Sequence, residues 1–197
     1  MKDMLLKFIE KTGKESEFKL FLDIIHKLPK IKYAVIKISG ETLENHLDQI
    51  AQDIAYLNKL EILNIVVHGA GKKKKKKIKA EYMDGVRLTK KQDINVISEV
   101  FEEISNKLEE KIIKNGGSAG CLTQIFKCKP MGKYGYVGSV EKIHLSKIKN
   151  MVNNNMTPII SPIGYFNDIL LNINADTAAK ELVKAIQPKK LIFITET

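Results

Sequence analysis

Twice in its first seventy-odd residues the chain runs a nearly continuous apolar stretch into a loop of small residues. Tyr33-Ala34-Val35-Ile36-Lys37-Ile38 leads into Ser39-Gly40-Glu41-Thr42, and Leu63–Val67 leads into His68-Gly69-Ala70-Gly71. Apolar runs without a period of two belong to strands covered on both faces, and a strand–loop–helix unit brings the next strand back parallel. An amphipathic segment from about Leu43 to Lys59, with Ile50, Ile54, Tyr56 and Leu57 as its buried candidates, supplies the crossover. Two small-residue loops at the carboxyl ends of neighbouring parallel strands are where open α/β sheets bind ligands, and glycine lets backbone N–H groups approach an anion.

The later chain continues the alternation. Thr89-Lys90-Lys91-Gln92 has capping-box spacing and opens a long helix with Ile94, Ile97, Phe101, Ile104 and Leu108 on one face, ending at Asn115-Gly116-Gly117. Cys121–Lys129 reads as a strand, Tyr134–Ile143 as a glycine-punctuated β segment, His144–Asn153 as a helix and Thr157–Pro162 as another apolar strand. Leu170-Leu171-Asn172-Ile173-Asn174 then hands over to a helix carrying Ala178, Ala179, Leu182, Val183 and Ile186, stopped by Gln187-Pro188 before the strand Leu191–Ile194. The architecture expected is a three-layer α/β/α sandwich with a mainly parallel sheet. Before it, Leu5, Leu6, Phe8 and Ile9, then Phe18, Phe21, Leu22, Ile25 and Leu28 predict two short amphipathic helices that end at Pro29.

Of 33 basic residues only Arg87 is an arginine. Its planar fork binds a carboxylate or phosphate bidentately, which lysine cannot do, so a lone arginine is a candidate for anion recognition, with chance as the alternative. Lys37 is either a solvated edge-strand lysine or a charge aimed at the first loop. Asp176, at a helix start, is either a cap or a charged functional group. His68 has no second histidine at metal spacing and reads as a structural donor; Cys121 and Cys128 form no metal-type cluster and read as reduced thiols. The net charge of +10 is spread along every segment. Its one concentrated feature, Lys72–Lys77, reads as an exposed, solvated segment, with phosphate attraction and nucleic-acid binding as alternatives. The arginine–aromatic interleaving of nucleic-acid surfaces is missing. No run is long enough to span a bilayer and no signal peptide is read, so a soluble, cytoplasmic protein is expected, with neither membrane nor metal site.

Five motifs in order resemble those of the amino acid kinase family, specifically its acetylglutamate kinases: Val35-Ile36-Lys37-Ile38-Ser39-Gly40, Val67-His68-Gly69-Ala70-Gly71, Asp84-Gly85-Val86-Arg87-Leu88-Thr89, Tyr134-Gly135-Tyr136-Val137-Gly138 and Leu171-Asn172-Ile173-Asn174-Ala175-Asp176. The resemblance runs from about Tyr33 to Thr197. The leading helices and Ala70 look closer to the kinase domain of bifunctional acetylglutamate synthase/kinases.

The resemblance implies an amino acid kinase-like N-terminal lobe at 31–197 behind a helical extension at 1–30. It implies ATP-dependent phosphorylation of the side-chain carboxylate of N-acetyl-L-glutamate, in arginine biosynthesis, by a homo-oligomer. In that scheme Lys37 stabilises the transferring phosphoryl group with the Ser39-Gly40 turn, and Asp176 orients the lysine. Gly69, Ala70, Gly71, Asn172 and Asn174 hold the substrate, Arg87 clamps its α-carboxylate, and Mg2+ arrives with ATP. Relatives continue past Leu191–Ile194 into a lobe that binds ATP, so most ATP contacts are expected outside this chain. A non-catalytic or regulatory kinase-like domain and a basic nucleic-acid-binding protein are the alternatives.

Overall fold

The computed structural model describes residues 33–71 and 81–196. The two helices expected before Pro29 and the run Lys72–Lys77 lie outside the described residues. In chain order the first elements are β1 (Ala34–Ile38), α1 (Gly40–Lys59), β2 (Asn64–His68), β3 (Tyr82–Met83) and β4 (Val86–Arg87). Next come α2 (Lys91–Lys114), β5 (Ala119–Leu122), β6 (Phe126–Pro130), one 3-10 turn at Gly132–Tyr134, β7 (Gly138–Ile143) and α3 (Leu145–Asn153). The last are β8 (Thr157–Ile160), β9 (Ile163–Phe166), β10 (Ile169–Asn172), α4 (Ala175–Ile186) and β11 (Lys190–Ile194).

Five strands form one parallel sheet in the order β11-β1-β2-β8-β5. Lys37 is therefore not an edge lysine: it sits in β1, one strand in from the edge, and is buried. Every residue of β1, β2 and β8 is buried, as a sheet covered on both faces requires. Side chains alternate between the two faces. Ile36, Ile38 and Val66 pack with α1 and α2, against Ile50, Ile54, Ile97, Phe101 and Ile104. Val35, Ile65, Val67 and Ile160 pack on the other face with Ile148 and Val152 of α3 and Ala178, Ala179 and Leu182 of α4. Each such aliphatic side chain, fully buried, contributes about 1.5–3 kcal/mol before conformational entropy is subtracted. The α/β/α sandwich is thus the observed fold.

Other details differ. α1 begins at Gly40, not near Leu43, because the Ser39 side chain accepts from the Thr42 N–H at 3.1 Å and caps the helix early. Tyr56, expected inside, is exposed, because the helix turns it outward from the stripe made by Ile50, Ile54 and Asn58. Cys121–Lys129 is two strands in two sheets, broken where Gln124 takes a positive φ of 52°. β9 and β10 form an antiparallel hairpin that joins β6 and β7 in a four-stranded mixed sheet, order β10-β9-β6-β7. β3 and β4 make a separate antiparallel hairpin.

Candidate functional site

Four segments converge at the carboxyl ends of the parallel strands. From β1 the strand alternation that sends Val35 toward α4 sends Lys37 the same way, and its Nζ lies 2.9 Å from Oδ1 of Asp176 in the first turn of α4. The lysine side chain is 10% exposed and the aspartate 62%, so the pair is half open to water. The ammonium also lies 6.0 Å from the centroid of the Phe193 ring. Asp176 is not the cap of α4. Asn174 is: its Oδ1 accepts from the N–H groups of Asp176 at 2.9 Å and Thr177 at 3.0 Å. With capping done by an amide, the carboxylate is left to the lysine.

The two small-residue loops are packed backbone on backbone. A Cβ on Gly40 would lie 1.9 Å from Gly71 N and 2.4 Å from Ala70 C, and one on Gly71, whose φ is +51°, would lie 2.5 Å from Gly40 C. Glycine is required here first by the contact between loops. The Gly69 N–H donates to Ile38 O and the Ser39 N–H to Ile194 O, both at 2.9 Å. The Ser39 hydroxyl is used on Thr42, so of that turn Gly40, whose N–H has no intrahelical acceptor, is better placed to meet an anion than Ser39.

Behind the second loop His68 is fully buried. Its Nδ1 is 3.1 Å from Gly69 O and its Nε2 is 2.7 Å from Ser105 Oγ on α2. A carbonyl can only accept, so Nδ1 carries the proton and the Ser105 hydroxyl donates to Nε2. Burial pushes the imidazole down to about 4, against a smaller upward pull from the Gly69 carbonyl. Neutral His68 therefore buttresses the glycine loop.

A cleft of about 320 Å³ opens beside these groups, lined by Gly69, Ala70, Arg87, Asn172, Asn174 and Thr177 among others. Tyr82, Phe101, Val137 and Ile173 give it apolar walls. Arg87 comes from the β3–β4 hairpin, and burial draws its guanidinium below its ordinary range, opposed by Tyr82 and Asp93; a guanidinium stays charged regardless. Asn174, its carbonyl oxygen taken by the cap, can offer a ligand its Nδ2 hydrogens. Of the residues singled out from sequence, Gly69, Ala70, Arg87, Asn172 and Asn174 line this cleft, while Lys37, Ser39, Gly40, Gly71 and Asp176 stand beside it. A larger cleft of about 440 Å³, lined by Gln124, His144, Lys147 and Tyr165, contains none of them.

Sequence reasoning missed Thr89. Read as the start of a capping box, it is instead buried and outside α2, whose cap position is Lys90 with no side-chain cap bond. Its Oγ1 accepts from Asn172 Nδ2 at 3.2 Å. Cys121 and Cys128 carry free thiols, raised by burial to about 12 and about 11, and Cys121 also donates to Glu109 at 2.8 Å. Among the described residues no three His, Cys, Asp or Glu side chains gather as a metal site, and no helix is long and apolar enough to cross a membrane.

Comparison with known proteins adds the lineage. Residues 32–197 match the sequence family described as the Amino acid kinase family. An acetylglutamate kinase of Bacillus thuringiensis is 33% identical over 175 residues, covering 83% of this chain and 68% of that protein. The protein arg11, mitochondrial, of Schizosaccharomyces pombe is 30% identical over 204 residues, 99% of this chain but 23% of its own length. The solved structure of smu.665 from Streptococcus mutans superposes with a TM-score of 0.75 at 28% identity, covering 84% of this chain and 73% of that one. For several other relatives the chain spans 20% to 45% of their length.

Proposed function

The chain belongs to the amino acid kinase family, and from that premise we propose that it forms the substrate-binding lobe of an acetylglutamate kinase-type phosphotransferase. The reaction would pass the γ-phosphoryl group of ATP to the side-chain carboxylate of N-acetyl-L-glutamate, a step of arginine biosynthesis. Relatives named acetylglutamate kinase support the substrate. The observation that carries the reading is geometric: a cleft with the lone arginine on one wall adjoins a buried lysine held by a carboxylate at a helix start.

The division of labour follows from the chemistry. Arg87 would grip the α-carboxylate through two parallel N–H bonds, while Asn172, the Nδ2 of Asn174 and the Gly69–Gly71 backbone orient the acetamido and side-chain ends. That places the accepting carboxylate near Lys37, whose ammonium would neutralise charge on the equatorial oxygens of the transferring group, with the Gly40 N–H and the positive ends of α1 and α4 adding to it. Asp176 would hold the ammonium in place. Since phosphoryl transfer asks little covalent chemistry of protein, positioning plus charge suffices. Lys37 and the Gly40 N–H suit a phosphate terminus, and in this scheme Mg2+ would come with the nucleotide and supply neutralisation of its phosphate charge.

The same reading takes 1–30 as a helical extension and 31–197 as the lobe, in a cytoplasmic homo-oligomer. Titration calorimetry of the chain with N-acetyl-L-glutamate tests the site, with L-glutamate and N-acetyl-L-aspartate as controls. Hydroxylamine trapping of acyl phosphate in the presence of ATP tests transfer. Binding no tighter than the controls, or none, would reject the reading; binding without transfer agrees with a substrate lobe whose ATP contacts lie outside this chain, and transfer by this chain alone would overturn that placement.

A further inference from the structure

The segment that carries Arg87 is tied to Asn172 by more than proximity. Thr89, buried and two residues on from Arg87, donates its N–H to Tyr134 O at 3.1 Å and accepts at its carbonyl from Tyr136 N at 2.8 Å. Tyr136 O in turn accepts from Asn172 N at 2.9 Å. The side-chain bond from Asn172 Nδ2 to Thr89 Oγ1, at 3.2 Å, closes this loop of bonds. The packing leaves no slack: at Gly135, whose φ is +76°, a Cβ would lie 2.4 Å from Thr89 O. Three chain segments far apart in sequence are locked around one hydroxyl.

A β-branched side chain is stiff at χ1, so the Thr89 hydroxyl is held in one place rather than searching for a partner. An asparagine amide can face either way in a cleft, and only its hydrogen bonds decide which end a ligand meets. By accepting from Nδ2, the Thr89 hydroxyl anchors the Asn172 amide in place. The helix that follows draws no cap from this hydroxyl, so the position is not explained by helix initiation.

We propose that Thr89 is a positioning residue of the candidate substrate site, anchoring the Asn172 side chain and tying its strand to the segment that carries Arg87 so that an N-acylated amino acid meets both at once. This rests on the substrate reading given above for its ligand, though not for its geometry. The acyl amide is the part of such a ligand that pairs with a side-chain amide, and an Asn172 without its Thr89 anchor would hold it less tightly. Thr89 thus acts through Asn172, on recognition rather than on the transfer itself.

The test compares Thr89→Val, which keeps the shape and removes the acceptor, with Thr89→Ser, which keeps the acceptor. Calorimetric titration of each folded variant with N-acetyl-L-glutamate should show Thr89→Val weakened about tenfold or more and Thr89→Ser within about threefold of the parent. A purely structural Thr89 would lower the melting temperature of Thr89→Val while leaving the dissociation constant unchanged, and that result overturns the proposal. A ligand-free arm follows the Asn172 side-chain amide by 1H–15N NMR. Slow hydrogen exchange of that amide in the parent and in Thr89→Ser, lost in Thr89→Val, supports the anchoring; an Asn172 signal unmoved by Thr89→Val refutes it. If the parent takes up no N-acetyl-L-glutamate, the substrate reading fails, and the NMR arm alone decides whether Thr89 sets Asn172.

Discussion

Lowering the pH from 7 to 4 should destabilise this protein through one side chain, His68. In the fold the imidazole is neutral and fully buried, with its titration pushed down to about 4 against an ordinary value of 6.5. Between those values the unfolded chain holds a proton at this position that the folded chain refuses, so stability rises with pH across the window and is lost as pH falls through it. The gap of 2.5 units, at 1.36 kcal/mol per unit, corresponds to about 3 kcal/mol. That is a large share of the roughly 5–15 kcal/mol that separates folded from unfolded chains. Urea unfolding at half-unit pH steps measures it, with His68→Gln as the reference that shares every other titrating group. The parent should lose about 3 kcal/mol more than His68→Gln on going from pH 7 to pH 4. Equal losses in the two proteins would show that His68 titrates normally and that the Gly69 and Ser105 bonds do not hold it neutral.

Three further outcomes are expected. Arg87→Lys keeps the charge but loses the fork, and should weaken N-acetyl-L-glutamate binding tenfold or more, about 1.5–3 kcal/mol for a charged hydrogen bond, with the melting curve nearly unchanged; calorimetry checks both. Gly40→Ala drives a methyl into the Gly71 and Ala70 backbone and should cost about 3 kcal/mol or more, whereas Gly85→Ala, where a Cβ meets nothing within 4 Å but φ is +76°, should cost only about 1–2 kcal/mol in urea unfolding. Asp176→Asn should leave stability within about 1 kcal/mol, since the cap is Asn174 and the carboxylate end of the lost pair is open to water, yet cut turnover roughly a hundredfold in an active form of the protein; turnover kept within threefold would separate Asp176 from catalysis.

How much of this was legible in the sequence depended on how local the cause was. β1 and β2 were readable because a strand buried on both faces must be apolar throughout, and α2 because Ile94, Ile97, Phe101, Ile104 and Leu108 recur at helical spacing. Arg87 stood out because it broke a uniform lysine background, and the cleft does contain it. Thr89 was misread because the capping-box pattern is satisfied by sequence alone, while the Tyr134–Tyr136 and Asn172 bonds that claim it come from 45 to 83 residues away. The β9–β10 hairpin was missed because its two-residue loop rests on Asn167 taking a positive φ of 51°. The parallel pairing of β6 with β9, which makes the mixed sheet, leaves no trace in either strand's own pattern.

The first turn of α4 shows most directly how fold and proposed function separate. Asparagine caps a helix about as well as aspartate, so Asn174 satisfies the free N–H groups without spending a charge. A carboxylate two positions later gains about 0.3–1 kcal/mol from the helix dipole, and an ion pair whose carboxylate is as open to water as Asp176 adds on the order of 1 kcal/mol. Neither sum demands a buried lysine, whose desolvation an all-apolar β1 would avoid altogether by placing Val or Ile at position 37. Stability therefore gives no reason for Lys37 to sit beside Val67 in an otherwise apolar strand, nor for a carboxylate to meet it there. The proposed function supplies that reason, a positive charge held beside the cleft, and it asks the cap and the counter-ion to be two residues rather than one.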